Sequence, residues 1–357
     1  MGDKLRLATY NVEWFNALFD DEGRLLRDKA RSERHDVTRA DQIAALGTVF
    51  TALDADAVMI IEAPDTHGKR STVTALERFA AHFDLRARKA IIGYASDTEQ
   101  EIALLYDPGK LGVRHDPKGA PVDRRGQTDA PRFDQTYHYD LNGDGQTEIV
   151  RFSKPPLELA VTTLSGKVLR LIGVHAKSKA PRGALTADER TRLSIENRRK
   201  QLVECIWLRQ RIEAHLKAGD ALIVAGDFND GPGLDEYEKL FGQSGVEVAM
   251  GVSGPADLRL TDPHAQMALL HPVGAQPVGA QPVGAHPTSA RFYLAPEKRY
   301  FEALIDFIMV SPDIAALSPE WRIWHPMADP QVTRQSGLVQ ALLTASDHYP
   351  VTLDLVL

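Results

Sequence analysis

Apolar and polar positions along the chain follow two recurring patterns. Residues 5–12 and 57–61 are short apolar runs typical of buried strands, whereas the segment 39–53 carries Ile43, Leu46 and Phe50 at helical spacing. Strands that follow one another in pairs, with helices between some of them, favour an α/β fold of two packed, mostly antiparallel sheets with helices outside. The same patterns predict helices at 71–82 and 187–217 and strands at 90–94, 102–106, 132–140, 148–152, 157–163, 168–174, 221–225, 304–310 and 351–357.

Three segments depart from these patterns. Residues 20–39 form a polar stretch that we interpret as a mobile or substrate-side loop. Residues 271–287 repeat Pro-Val-Gly-Ala units, which cannot bury an apolar face and therefore predict an extended surface loop or a disordered insertion. The turn at 140–145 opens like an EF-hand calcium loop, but Arg151 stands where that loop needs glutamate, so a plain hairpin turn is favoured.

Composition narrows the class of protein. The chain has 357 residues, 43% of them hydrophobic and 25% charged, so we expect one soluble domain over 1–357 with an insertion at about 271–287. The formal net charge of −7 excludes a basic field over the whole molecule, so a polyanion would be met by a local patch or by metal ions.

Cys205 is the only cysteine, which excludes an internal disulfide and a thiolate zinc cluster. The first residues contain no apolar signal region, which suggests a cytoplasmic protein unless a signal peptide has been removed.

Polar residues stand at or near the ends of several predicted strands. Taken singly, each has an ordinary explanation, because a polar turn or a cap accounts for segments such as 227–233 and 346–348. Glu62 is harder to explain in this way, since a carboxylate after five apolar residues is costly unless it is paired or bound to a metal. Together these residues could meet at one edge of a sandwich. The set comprises Asn11, Glu62, His175, Asp227, Asn229, Asp306, Asp347 and His348.

The donor types in this set indicate metal-assisted phosphoryl chemistry. Carboxylate and amide oxygens without thiolates favour a hard cation such as Mg²⁺ or Mn²⁺. His175 and His348 are better suited to carry protons or to donate to a phosphate, with Glu101 and Asp306 free to orient them. No serine or cysteine nucleophile with a nearby base is evident, so we expect direct attack by water.

The motifs that contain these residues resemble those of the endonuclease/exonuclease/phosphatase superfamily, the DNase I-like group. They occur in the family's order and span nearly the whole chain, and the segment 151–157 resembles the family's strand before the histidine motif. One departure is Ile61, which stands where many members have glutamine. The matching motifs are Tyr10-Asn11-Val12, Glu62, His175, Gly226-Asp227-Phe228-Asn229, Asp306 and Ser346-Asp347-His348-Tyr349-Pro350.

The resemblance implies a four-layer α/β/β/α sandwich with a Mg²⁺ or Mn²⁺ site. By motif position, Asn11, Glu62 and Asp347 would hold the metal, and Asp227 with Asn229 would align the attacking water or a second metal ion. The resemblance also implies that His348, paired with Asp306, contacts the scissile phosphate. His175 would be the second histidine of DNase I-like enzymes, with Glu101 as the nearest candidate for its carboxylate partner.

We therefore expect a divalent-metal phosphodiesterase, most plausibly a nuclease acting on DNA or RNA. Lys177, Lys179 and Arg182 follow His175 and either face the backbone phosphates or form an ordinary solvated loop. The acidic net charge weakens the case for a nucleic-acid substrate. A phosphomonoesterase, an inositol-phosphate phosphatase or a sphingomyelinase-type enzyme is therefore an alternative. A catalytically silent binding scaffold is the remote alternative, and the intact set of polar residues argues against it.

Overall fold

The strands and helices follow the predicted patterns closely in the first half of the chain. The computed structural model describes residues 2–34, 36–120, 130–141, 145, 147–233, 238–270, 287–294 and 298–357. In chain order its strands are β1 Lys4–Asn11, β2 Ala57–Ala63, β3 Lys89–Ile92, β4 Glu101–Tyr106, β5 Leu111–His115, β6 Tyr137–Tyr139, β7 Glu148–Val150, β8 Leu157–Thr163, β9 Val168–His175, β10 Leu222–Asp227, β11 Ala290–Leu294, β12 Arg299–Ala303, β13 Asp306–Val310, β14 Glu320–Ile323 and β15 Val351–Val356.

Helices surround these strands, and their ends carry recognisable capping residues. The longest, α3, begins after Thr186, whose hydroxyl accepts the backbone N–H of Glu189 while the Glu189 carboxylate accepts that of Thr186. None of the described helices combines the length and the apolar character that a membrane span needs. The helices are α1 Arg39–Leu53, α2 Thr72–His82, α3 Ala187–Lys217, α4 Gly245–Met250, α5 Pro263–Leu270, α6 Pro312–Ala315, α7 Pro330–Thr333 and α8 Ser336–Ala345.

Two large sheets form the centre of the fold. The first has the strand order β14-β15-β1-β2-β4-β3 and the second has the order β13-β10-β9-β8-β5. Most neighbouring strands are antiparallel, but β1 pairs with β2 and β9 with β10 in parallel. Helices α1 and α3 make these two parallel connections, as expected for crossovers between parallel strands. Two small hairpins, β6–β7 and β11–β12, lie outside the main sheets.

Three apolar clusters separate the layers. One lies between the first sheet and helices α1, α2 and α8, and includes Leu46 and Phe79. The second lies between the second sheet and α3, around Trp207. The third fills the space between the two sheets, with Leu159 and Ile308 among its members. This arrangement of helix, sheet, sheet and helix confirms the predicted four-layer sandwich.

Several local predictions need correction. The predicted hairpin at 132–140 and 148–152 is confined to β6 and β7, and residues 132–136 are not a strand. Strand β13 begins at Asp306, because the preceding residues 299–303 turn away to form β12. Most of the repeats at 271–287 and residues 142–144 of the turn at 140–145 lie outside the described residues, so both predictions about them stay predictions.

Candidate active site

Polar side chains from both sheets meet at one edge of the sandwich. Asn11, His175 and Asp227 end strands β1, β9 and β10, and Glu62 lies one residue before the end of β2. Parallel pairing of β1 with β2 and of β9 with β10 brings these carboxyl ends to the same edge. The amide of Asn11 donates to Asp227 Oδ2 at 2.9 Å, so the two sheets are joined directly at the site.

Glu62 is aimed into the site by an irregularity in its strand. The pairing of β2 with β4 shifts register between Ile61 and Ala63, as at a β-bulge, and Glu62 has a φ of 61°. A bulge of this kind redirects a side chain that would otherwise follow the alternation of the sheet. Burial raises the pKa of Glu62, opposed by the charge of Lys154. The charge of Lys154 therefore does not fully offset the cost of burying the Glu62 carboxylate.

The oxygens predicted to hold a metal are buried and incompletely bonded. Asn11 Oδ1 and Asp347 Oδ1 have no hydrogen-bond partner within the described part of the chain. Burial raises the pKa of Asp347 well above its ordinary value, although His348 opposes this shift. Buried oxygens without donors are costly unless a cation compensates them, so these residues fit a divalent metal ion. That they hold one stays a prediction.

His348 and Asp306 form a buried pair. His348 Nδ1 lies 2.8 Å from Asp306 Oδ2, which also accepts a hydrogen bond from the hydroxyl of Ser289 at 2.8 Å. Burial alone would lower the pKa of His348, but Asp306, Asp227 and Asp347 together raise it well above its ordinary value. Asp306 therefore orients the imidazole ring, and the surrounding carboxylates favour its protonated form.

Asp227 and Asn229 are arranged by hydrogen bonds that involve the backbone. Asp227 Oδ1 accepts the backbone N–H of Asn229 at 2.7 Å, and the Asn229 amide donates to the carbonyl of Ala176 at 3.1 Å. Burial, and then the nearby charge of Asp306, raise the pKa of Asp227 to about 7. Asp227, Asp306 and His348 each present a ligand-type atom within 4.8 Å of the others. This cluster is compact enough to act on one phosphate group.

His175 contacts a lysine that the sequence analysis did not identify. Lys154 Nζ lies 3.1 Å from His175 Nε2, and Lys154 is buried although it carries an ionisable amine. Burial lowers the pKa of Lys154, opposed by the charges of Glu62 and Asp227. Burial, followed by the charges of Lys154 and His348, lowers the pKa of His175 well below its ordinary value. His175 is therefore a neutral imidazole.

The structure does not bring every predicted residue into the cluster. The Glu101 carboxylate accepts the backbone N–H groups of Ser96 and Thr66, and no hydrogen bond joins it to His175 in the described part of the chain. Lys179 is engaged by the buried Asp230 at 2.6 Å, which makes it a poor ligand for a phosphate. Its neighbour Arg182 is exposed, and Lys177 is half-buried with a pKa lowered by burial. The roles of Arg182 and Lys177 stay predictions.

Lys154 and Ser289, which the sequence analysis did not identify as site residues, differ in how strongly the sequence indicates them. Lys154 stands immediately before Pro155, in a segment that the sequence analysis associated with the histidine motif. Its contact with His175 depends on the pairing of β8 with β9, which a linear pattern does not specify. Ser289 follows the Pro/Gly/Ala repeats and carries no signal of its own. Its role as a partner of Asp306 appears only in three dimensions.

Comparisons with known proteins identify the family of this chain. A sequence profile of the Endonuclease/Exonuclease/phosphatase family matches residues 8–348. No curated protein matches the chain. Among solved structures, TDP2 from Caenorhabditis elegans is 10% identical with a TM-score of 0.49, and the match covers 99% of this chain and 75% of TDP2.

Two further solved structures are similar over nearly their whole length. TDP2 from D. rerio, complexed with a single-strand DNA product, is 14% identical with a TM-score of 0.48, and the match covers 99% of this chain and 98% of the other. The 3′ phosphatase NExo from Neisseria, bound to a product DNA hairpin, is 18% identical with a TM-score of 0.45, covering 98% and 99% respectively. On the profile match over residues 8–348, this chain belongs to the Endonuclease/Exonuclease/phosphatase family, whose members are divalent-metal-dependent phosphoester hydrolases.

Proposed function

We propose that this protein is a phosphodiesterase that cleaves nucleic acid by direct attack of water. The observation that carries the proposal is the buried His348–Asp306 pair, in which the carboxylates of Asp306, Asp227 and Asp347 favour the protonated ring. A cation held in a buried site is suited to bind a phosphate oxygen on which charge accumulates during hydrolysis. Diesters are favoured over monoesters because the exposed Arg182 and half-buried Lys177 follow His175 and could meet phosphates that flank the reacting one.

Asn11, Glu62 and Asp347 are the residues that would hold Mg²⁺ or Mn²⁺. Their oxygens are the ligand type that these cations prefer, and two of those oxygens have no hydrogen-bond donor in the described structure. When bound, a divalent cation supplies Lewis-acid stabilisation of charge on the phosphate. Asp227 is a further carboxylate beside this set, because it accepts a hydrogen bond from the Asn11 amide.

The remaining steps fall to residues of the chain. In our proposal Asp227, with its pKa raised to about 7, accepts a proton from the attacking water, and the Asn229 amide helps to orient that water. His348 donates to a phosphate oxygen through Nε2, since Asp306 occupies Nδ1. His175 Nε2 is engaged by Lys154, so we assign the Lys154–His175 pair the task of positioning charge beside the phosphate.

A panel of substrates tests this function. We would measure hydrolysis of plasmid, single-stranded DNA, RNA, bis(4-nitrophenyl) phosphate and 4-nitrophenyl phosphate with Mg²⁺ or Mn²⁺, and after chelation. The proposal predicts metal-dependent cleavage of diesters, with 4-nitrophenyl phosphate hydrolysed slowly. Preferential hydrolysis of the monoester would instead establish a phosphomonoesterase.

Glu62→Gln tests the metal assignment directly. The variant should lose activity and bind Mg²⁺ more weakly in calorimetry, because a neutral amide replaces an anionic ligand, while the protein stays folded by circular dichroism. Glu204→Gln is the matched control, because Glu204 is also buried but accepts the backbone N–H of Lys177. Equal Mg²⁺ affinity in the wild type and Glu62→Gln would contradict the assignment.

A further inference from the structure

Exposed aromatic side chains are concentrated near the active site. Trp14 is 37% exposed, Tyr293 53%, Tyr300 55% and Phe301 47%, and these are the exposed aromatic residues of the described chain. Three of them belong to the β11–β12 hairpin, and Trp14 follows Asn11 by three positions. Exposed apolar residues elsewhere on the described surface are aliphatic, so a scattered surface composition does not explain this clustering.

The hairpin is bonded to the catalytic segment at its base. The backbone N–H of Arg291 donates to the carbonyl of Asp347 at 2.7 Å, and that of Tyr349 donates to the carbonyl of Ser289 at 2.6 Å. The hydroxyl of Ser289 in turn donates to Asp306, the partner of His348. The base of the hairpin therefore has a defined position relative to the catalytic histidine.

The two faces of the hairpin both carry aromatic pairs. Phe292 lies opposite Phe301 and Tyr293 lies opposite Tyr300, and cross-strand partners project from the same face. On the first face, the Phe292 ring contacts the ring of His348 edge-on, with centroids 5.5 Å apart. An aromatic surface thus runs from His348 through Phe292 to the exposed Phe301.

The second face combines an aromatic pair with a cation. The Arg291 guanidinium lies 3.9 Å from the centroid of Tyr300, and the rings of Tyr293 and Tyr300 are 5.2 Å apart. Arg291 also lies 3.5 Å from Glu302, so its charge is partly balanced. Aromatic rings beside a guanidinium group suit a ligand that presents flat bases and phosphates, and they suit an aliphatic ligand poorly.

We propose that the β11–β12 hairpin is a stacking platform for the unpaired bases of a single-stranded nucleic acid whose scissile phosphate lies at His348. The inference rests on the proposed phosphodiesterase function and specifies its substrate class. Every base offers a flat face to an aromatic ring, but only a strand that is not paired in a duplex has bases free to stack on the protein. Phe292 connects the platform to His348, so a strand that stacks on Phe301 continues into the active site.

Binding without catalysis is the first test. Fluorescence anisotropy in EDTA would compare labelled single-stranded DNA, single-stranded RNA and duplex DNA on the wild type, Phe301→Ala and Tyr293→Ala/Tyr300→Ala. We expect each variant to lose about 10-fold in affinity for the single strands, with little change for the duplex. Phe301→Leu keeps apolar bulk without the ring and should lose affinity as well, whereas Leu317→Ala, at an equally exposed residue outside the hairpin, should not.

A second measurement separates failure of this inference from failure of the proposed function. Turnover of bis(4-nitrophenyl) phosphate reports the active site without a base-stacking strand, so the loss on single-stranded DNA should exceed the loss on this diester by about 10-fold. Absence of diester turnover together with hairpin-dependent strand binding would refute the function and keep the platform. Normal diester turnover with unchanged strand affinity in the hairpin variants would overturn the platform.

Two other results would also overturn the inference. Equal weakening of single-strand and duplex binding would show that the hairpin contacts the backbone and does not stack on bases. Loss of self-association in the hairpin variants during sedimentation, without any change in strand affinity, would show that a second copy of the chain covers these rings.

Discussion

The surroundings of His175 and His348 shift the pKa values of the two rings in opposite directions. His348 is close to Asp306, Asp227 and Asp347, which raise its pKa, whereas burial and Lys154 lower the pKa of His175. A cationic ring can donate to a phosphate oxygen, and a neutral ring can only do so from the nitrogen that carries its proton. The two histidines therefore have different tasks, although both stand at strand ends in the sequence.

The His348–Asp306 pair predicts strongly non-additive kinetics. His348→Ala should lower kcat by about 10² or more with little change in KM, and Asp306→Asn should reproduce much of that loss because the ring is no longer oriented. The double variant should lose little more than His348→Ala alone. Kinetics with bis(4-nitrophenyl) phosphate check this, with Asp313→Asn on the exposed start of α6 as the control. Additive losses would mean that Asp306 acts independently of His348.

Lys154 and His175 should behave as one unit. Lys154→Met keeps the length of the side chain but removes the donor to His175 Nε2, so kcat should fall about as far as in His175→Ala, and the two losses should not add. Mg²⁺ affinity should not fall, because the lost positive charge acts on Glu62 and supplies no ligand oxygen, and this distinguishes the role from a general loss of structure. Lys89→Met, at an exposed position, is the control. Near-full turnover of His175→Ala would show that the ring is only structural.

At the scale of elements, the close approach of β10 to β9 positions the catalytic strand ends. Gly226 has a φ of 147°, and a side chain at this position would overlap the carbonyl oxygen of Val174 on β9. Asp227 follows Gly226 and lies opposite both His175 and Asp306 in the sheet. Any displacement of β10 therefore moves three site residues relative to one another.

Gly226→Ala should accordingly damage both stability and activity. We expect the free energy of unfolding to fall by about 3 kcal/mol or more, because the added methyl group meets backbone that cannot rotate away. Urea denaturation and diester kinetics would measure the two effects. Gly112→Ala on β5 is the control, because its added carbon would lie 3.9 Å from the carbonyl oxygen of Thr162, an ordinary van der Waals contact. Similar losses of stability and activity in the two variants would contradict a particular requirement for the close approach of β10 to β9.

A buried carboxylate fastens the start of β2 to its neighbours. Asp56 accepts the backbone N–H of Arg6 at 2.8 Å, lies 2.8 Å from Lys110 Nζ and also pairs with Arg86. Burial would raise the pKa of Asp56, but Arg86 and Lys110 outweigh it and the pKa is lowered. The folded state therefore binds the Asp56 proton less tightly than the unfolded state does. Its contribution to stability is present above the unfolded pKa and is lost as the pH falls through the folded pKa.

Asp56→Asn should thus destabilise the protein in a pH-dependent way. At neutral pH we expect a loss of about 1–2 kcal/mol in the free energy of unfolding, since Arg86 and Lys110 remain partly solvated. The difference from the wild type should shrink as the pH is lowered from about 5 to about 2 in urea titrations. Asp354→Asn, in the more exposed pair with Arg6, should change stability by no more than about 1 kcal/mol. A difference that does not vary with pH would contradict this account.

At the scale of the whole molecule, the site lies where the two sheets open at one edge of the sandwich. The contact between Asn11 and Asp227 joins the sheets there, while the apolar cluster behind it holds them together. The whole chain carries a formal net charge of −7. Attraction of a polyanion is therefore confined to the site and its surroundings, and the protein should not bind duplex DNA indiscriminately.

The Pro/Gly/Ala repeats should contribute little to global stability. Deleting residues 272–286, which lie outside the described residues, removes units with no apolar face to bury. We expect the melting temperature to change by no more than about 2 °C, as measured by calorimetry at one protein concentration. A drop of many degrees would show that the repeats pack against the sandwich.

Helices and strands whose apolar residues recur regularly over many positions were predicted well. Short elements and strands at sheet edges were not. Helices α1 and α3 occur at their predicted bounds, because each repeats an apolar stripe over many residues. Strand β14 was missed because four residues at a sheet edge carry too few alternations to stand out. Helix α8 was missed as well, although it packs against α1 and closes one outer layer. The β11–β12 hairpin follows the repeats, whose composition gave no reason to expect ordered strands beyond them.

The linear order of residues was enough to predict the family, the layered fold and the polar residues at the strand ends. This is possible because apolar periodicity and short motifs are local, and because strand ends of the same direction meet at one edge of a sheet. The charge states of the histidines, the contact of Lys154 with His175 and the attachment of the hairpin beside His348 required the tertiary structure. These features depend on distances between residues remote in sequence and on their burial, and neither quantity is encoded in the spacing of residues along the chain.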